Sequence, residues 1–496
     1  METADGERWA FRSIDKRPGG SNLPWEVRGT PAERMLGDHV SALHPGGHFA
    51  VPAILEAVGI LHTPPTLFVM PDHPRLGEHR ETFAGMLGGL ELRPNQGPDE
   101  TPGFAGSRRI WGWSNFIDAL SSGHQHRLDE AELLRARLVD MLVGDPDRGT
   151  DQWRWARYGD EGAYTWRPIP EDRDWVFAHA DGLFAGVARG TYVKLVEFTD
   201  RYPPIERFTF SSHIVDRTLL TRLTRADFER EAEAVRSAVT DNVIDRAVAA
   251  MPAPWAARSG DDIRATLRAR RDALPQLALA YYAWLADAVD VRGTAEHELV
   301  RIERRADGSV HVRITRRSDD VRLLAAGDAQ PAPRYGDNAP SPLDTTSLLH
   351  VPYFERTFLP SETNEVRVHL PAGDNHVRVT GVQDGPITIR VIGGSGADLF
   401  EDLAGNVRFY KQQGELRVVR SAGTRVDGRR WSPPAPPEGL RGGYSWAPDW
   451  GRDSGVTPAT SYDERSGALF GAVEAWAREL GLTEAHGPLG FTDLDK

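Results

Sequence analysis

The hydrophobic period of this chain changes at Glu298, and that change limits what it can fold into more than any other feature. Before it, residues 216–289 carry apolar side chains at helical spacing. After it, apolar and polar residues alternate, first on both sides of Asp307-Gly308 and then in short runs at 366–370, 376–382, 387–392, 407–410 and 416–419. Alternation around Asp-Gly predicts a hairpin, and short strands parted by Gly, Asp and Asn predict a small all-β unit. A helical region and a β region in series give an α+β chain. Its 496 residues allow two to four domains.

Ahead of the helical region, a strand is expected at 9–16, helices at 31–44 and 48–59, and strands at 66–70 and 86–93. Helices follow at 114–121 and 130–142. Thr224 and Ser259 each precede an acid by three residues and read as helix starts. Residues 277–288 are apolar nearly all round and predict a buried helix. Pro-rich linkers are expected at 318–342 and 431–437.

The charge of −13 argues against nucleic acid as a main partner, which would need a basic face. With no cysteine there are no disulfides, thiolate metal sites or cysteine nucleophiles. No apolar run approaches the ~20 residues of a spanning helix.

Residues 141–177 hold the densest chemistry: a first acidic turn at 144–148, two short strands within 153–168, and a second acidic turn at 170–174. Carboxylates from both turns can meet to hold a divalent metal and a phosphate. The competing reading is a solvated Asx turn with an Asp–Arg pair. Tryptophans 111, 113, 153, 155, 166 and 175 read as core packing around these loops. Histidines 39, 44, 48, 62, 73 and 79 form no HExxH motif and read as surface or core residues. Residues 393–399, Gly-Gly-Ser-Gly-Ala-Asp-Leu, fit a Ca²⁺-binding turn repeat centred on Asp398. A single copy lacks the neighbouring turn that shares each ion, so a tight Gly turn between strands is the alternative.

The acidic segment resembles the catalytic and metal-binding segments of atypical kinases of the CotH, secreted Golgi casein kinase and HipA types. The resemblance rests on GDPDR at 144–148 and IPEDRDWVF at 169–177. It implies a protein-kinase-like bilobal α+β fold, truncated in its N-lobe, with a helical C-lobe and a small all-β module behind it. It also implies ATP and Mg²⁺ as cofactors. Asp147 and Arg148 would be catalytic, with Asp147 as base, and Asp172, Asp174 and Gln152 would hold the metal. Lys16, Asp38 and Glu91 would bind the nucleotide, with the main chain near 89–93 receiving the adenine edge.

Gly149 stands where those families have His, and no glycine-rich loop precedes Lys16. A catalytically silent binding module is therefore the rival expectation. The chain further resembles a central piece of large bacterial envelope proteins with an upstream phosphoesterase and a C-terminal BamA-like barrel. On that basis the expected units are a partial N-lobe at 1–110, a C-lobe at 111–295, a hairpin and linker at 296–345, the β-module at 346–430, and a linker with the start of a barrel at 431–496. The expected partners are a nucleotide, an unknown acceptor and an outer-membrane protein or barrel. The expected location is the periplasmic side of the outer membrane, or the cytoplasm if the chain is complete.

Overall fold

A computed structural model describes residues 1–3, 6–14, 43–97, 99, 101–179, 196–317 and 352–427, together with the backbone of 454–463 and 467–476. Lys16, Asp38 and residues 31–42 of the expected helix at 31–44 lie outside the described residues, as do both Pro-rich linkers.

The chain is α+β. Strands β1 (Trp9–Ser13), β2 (Thr66–Val69) and β3 (Leu87–Leu92) form an antiparallel sheet with β3 in the middle. Two glycines in β3 set its packing: a Cβ at Gly88 would lie 2.5 Å from the Arg12 carbonyl, and one at Gly89 would lie 2.8 Å from His48 Nε2. Without side chains there, β1 and the helix Gly47–Ala57 close onto the sheet.

Next comes a four-stranded sheet, with β4 (Arg109–Trp111), β5 (His126–Leu128), β6 (Trp153–Tyr158) and β7 (Tyr164–Pro170) in the order β4-β6-β7-β5. Trp153, Trp155 and Trp166 are fully buried on it, and Phe116 stacks on Trp155 at 4.0 Å between centroids. The helices pack on the same core, whose members run from Ala50 to Ala286. Thr224 makes the expected capping box with Asp227. Ser259 does not start a helix. It sits inside the single helix Ala253–Ala286, where its hydroxyl donates to Trp255 O at 3.0 Å. Apolar spacing continues through it, with Ile263 and Leu267 buried beyond, so the local cap signal is overridden. The last turns of that helix bury only one face: Tyr281, Tyr282 and Leu285 are inside, while Ala280 and Ala283 are exposed. No described helix is long and apolar enough to cross a membrane.

The β region is a two-sheeted roll. Strands β8 (Ala288–Arg292), β12 (Glu365–Leu370), β14 (Thr388–Gly393), β16 (Val407–Lys411) and β18 (Arg425–Asp427) lie parallel in one sheet. Strands β9 (Glu298–Arg304), β13 (His376–Gly381), β15 (Ala397–Asp402) and β17 (Glu415–Val419) lie parallel in the other. From β12 onward, neighbours in a sheet are one coil apart in sequence, so short turns replace the usual long crossover. The hairpin of β9 and β10 (Val310–Arg316), extended by β11 (Phe354–Phe358), continues the second sheet. It is thus part of the roll rather than of a separate linker unit. Val291, Val368, Val391 and Phe409 stack in register in the roll core, against Val300, Val377 and Phe400 of the facing sheet.

At one end of the coils glycines stack. Gly373, Gly396 and Gly414 all have positive φ, and a Cβ on each would come within 2.2–2.3 Å of the carbonyl of the coil before. Residues 393–399 are one turn of this column. The Asp398 carboxylate accepts from Asn375 N–H at 3.0 Å and from Lys411 Nζ at 2.6 Å. The turn expected to take Ca²⁺ therefore carries its own ammonium. Strands β19 (Ser454–Asp463) and β20 (Gly467–Trp476) pair as an antiparallel hairpin.

Candidate functional site

The helix Glu130–Val143 is capped by Asp129 and stopped by Gly144 in the left-handed region at φ 76°. Its last turns deliver Arg137 and Asp140 into a buried ionic cluster. Arg137 donates to Asp140 at 2.6 Å and to Asp216 at 2.9 Å. Asp140 also meets Arg148 at 3.3 Å and pairs with Arg173. Asp145 pairs with Arg173 at 3.5 Å and with Arg148 at 3.8 Å. Three arginines face three aspartates, so the cluster is charge-balanced, which is what makes such burial tolerable. Burial pushes Asp140 up, but Arg173, Arg148 and Arg137 outweigh it and hold it below the usual carboxylate range. In Asp145 burial wins, and its pKa is raised.

Within this cluster Arg148 holds the two acidic turns together. Its Nη1 donates to the carbonyls of Glu171 at 2.6 Å and Asp172 at 3.0 Å, and its Nη2 donates to Gln152 O at 3.0 Å. It is fully buried over the Trp153 ring. Arg148 thus ties residues 152, 171 and 172 to the first turn. Asp145 shapes the first turn by accepting the Asp147 N–H at 3.1 Å, which leaves Asp147 half-buried beside Arg148. Gln152 contributes its carbonyl to this fixation, since Glu171 N–H also donates to it at 3.0 Å.

The second turn meets the N-terminal sheet. Asp172, in the left-handed region at φ 56°, accepts from Arg12 Nη1 of β1 at 2.7 Å. Arg12 Nε lies 3.7 Å from Glu91 of β3, and Glu91 accepts from the Thr63 hydroxyl at 2.7 Å. Burial raises the pKa of Glu91, and the charges of Glu171 and Asp172 add to it against Thr63 and Arg12. Arg12, Thr63 and Glu91 line a cleft of about 60 Å³, partly open to solvent, together with His44, His48, Arg173 and Asp174. Phe177, likewise left-handed at φ 57°, packs on Phe198 and His44 behind it. Non-glycine residues in this region cost energy and gather at functional sites.

The structure thus brings Glu91 and Asp174 to one cleft, while Asp172 is outside its lining and joined to it through Arg12. Asp147 is on the neighbouring turn and outside the cleft lining, and Arg148 lies beneath it. The main chain near 89–93 is largely committed within its own sheet: residues 88–90 pair on both sides, and Arg93 N–H donates to Arg8 O at 2.7 Å. That leaves little of it to receive a base edge. Sequence reasoning missed Arg12. The signal was there, because strand alternation puts residues 12 and 16 of WAFRSIDK on the same face.

No family model matches this chain, and no curated protein matches it. Among solved structures it is similar to the Helicobacter pylori proinflammatory kinase CtkA, at 9% identity and a TM-score of 0.25. That match covers 47% of this chain and 85% of the other.

Proposed function

We propose that the cleft between the N-terminal sheet and the acidic turns binds a nucleotide with Mg²⁺ and supports kinase-like phosphoryl transfer. The observation that carries this reading is that Arg12, Glu91 and Asp174 line one cleft, with Asp172 joined to it through Arg12 at 2.7 Å. Among the described residues there is no cluster of three or more His or acidic side chains suited to a metal. Mg²⁺ at a nucleotide does not need one, since one or two carboxylates, water and phosphate oxygens complete its shell. Asp172 and Asp174 are the hard oxygen donors for it, and Gln152 is the further candidate. The ion would neutralise charge on the transferred group. Arg12, released from Asp172, would turn to the phosphates beside Lys16, with Glu91 and Asp38 fixing these cations. Asp147 would orient the acceptor hydroxyl. The cell envelope of a bacterium is the proposed location.

One observation favours a second reading, in which the chain is a catalytically inactive binding module beside an outer-membrane barrel. Arg12 already satisfies Asp172 at 2.7 Å, so the acid needed for metal is neutralised from within. Melting of the full chain with and without Mg·ATP separates the two. A ligand at a hundred times its Kd adds about 2.7 kcal/mol, enough to raise Tm by a few degrees. Under the first reading Tm rises and Asp172→Ala removes the rise. An unchanged Tm in the intact protein sinks it.

A further inference from the structure

A second cavity, of about 310 Å³, lies where the helical part meets the roll. That size is at the small end of the range for small-molecule sites. One wall is apolar, from Trp113, Ile117 and Leu120 of the helix Trp113–Ser122, and the roll faces it with Phe354, Leu370 and Ile392.

Two histidines interrupt this lining. His126 accepts the Trp166 indole N–H on Nδ1 at 3.1 Å. Burial first, and Arg157 second, bring its pKa down to about 4, so the ring is neutral and carries its proton on Nε2. His369, on the roll side, faces the Asp290 carboxylate through Nε2 at 3.1 Å. Burial lowers its pKa as well. Burial also opposes ionisation of Asp290, but Arg367 and His369 outweigh it and hold it far below the usual carboxylate range. The proton of His369 therefore sits on Nε2, toward Asp290. His369 Nδ1 is left as a bare acceptor with no hydrogen-bond partner among the described residues, in a side chain 5% exposed. Leaving such a group unmatched costs about 1–3 kcal/mol.

Above about pH 7, where Glu130 is ionised, the charges in the lining are matched. Arg222 pairs with Glu130 at 3.2 Å, and Arg292 lies in the field of the Asp290 carboxylate. The cavity thus offers one fixed N–H donor, one unmatched acceptor and apolar walls, with no demand for an ion.

We propose that this cavity is a binding site for a neutral apolar molecule bearing a hydroxyl, which donates to His369 Nδ1 while an oxygen of the molecule accepts from His126 Nε2–H. The site is separate from the nucleotide cleft, and its test contains no nucleotide.

The test titrates the full chain with 2-naphthol, naphthalene and 2-naphthoate, read by tryptophan fluorescence and by Tm. Saturable binding of 2-naphthol is expected, with naphthalene and 2-naphthoate weaker by about tenfold, the fold-change of one hydrogen bond. Leu120→Trp and, independently, Ile117→Phe fill the cavity and should abolish binding while melting stays cooperative. His369→Phe should erase the preference for 2-naphthol over naphthalene. The proposal is overturned by no saturable response, as from a seam holding only water. Equal binding of the three probes, or binding that survives both filling variants, overturns it as well.

Discussion

Arg148 shows how much a single side chain can decide here. It was legible as part of an acidic loop, but its three carbonyl partners come from positions 152, 171 and 172 and appear only when β6 and β7 fold back. Breaking a buried ion cluster from one side leaves uncompensated charge. Arg148→Ala should therefore cost about 3–5 kcal/mol in urea unfolding. Arg12→Ala, at a side chain about one-third exposed, should cost far less stability yet change the response to Mg·ATP. A loss of Tm in Arg12→Ala as large as in Arg148→Ala would contradict this division between binding and positioning.

At the scale of elements, the helix Glu130–Val143 links pH to stability. Burial raises Glu130 to about 7, against the opposing charge of Arg222. The unfolded chain gives up this proton near its ordinary value of 4.5, while the folded chain keeps it to about 7. Between those values the folded state binds more protons, so its stability falls as pH rises. Melting across about pH 5 to 8 should show that decline, and Glu130→Gln should flatten it. An unaltered slope in the variant would place the titration elsewhere. Helix existence was plain in the sequence, as the capping box at Thr224 shows. Ser259 was misread because a cap motif is local, whereas packing over the whole helix Ala253–Ala286 outweighs it.

On the scale of the molecule, two cores meet near Ala286 and Val289, one helical and aromatic, the other the valine-rich roll. The roll is held at Asp398 by Lys411, whose removal strands a buried carboxylate. Lys411→Met should destabilise the chain by about 3 kcal/mol or more, while Ca²⁺ should leave the Tm of the unaltered chain in place. A rise in Tm with Ca²⁺ would show that the ion displaces Lys411 from the turn.

The sequence by itself determined the order of helical and β regions, most strand positions and the two acidic turns, because period and turn chemistry are local properties. It did not determine that the β strands lie parallel in two facing sheets, since alternation is the same whichever neighbour a strand takes. Nor did it show that Arg12 reaches Asp172, 160 positions away, or that Lys411 fills the turn at Asp398. Those pairings depend on which surfaces the packed cores bring within a few ångströms, and only the tertiary structure decides that.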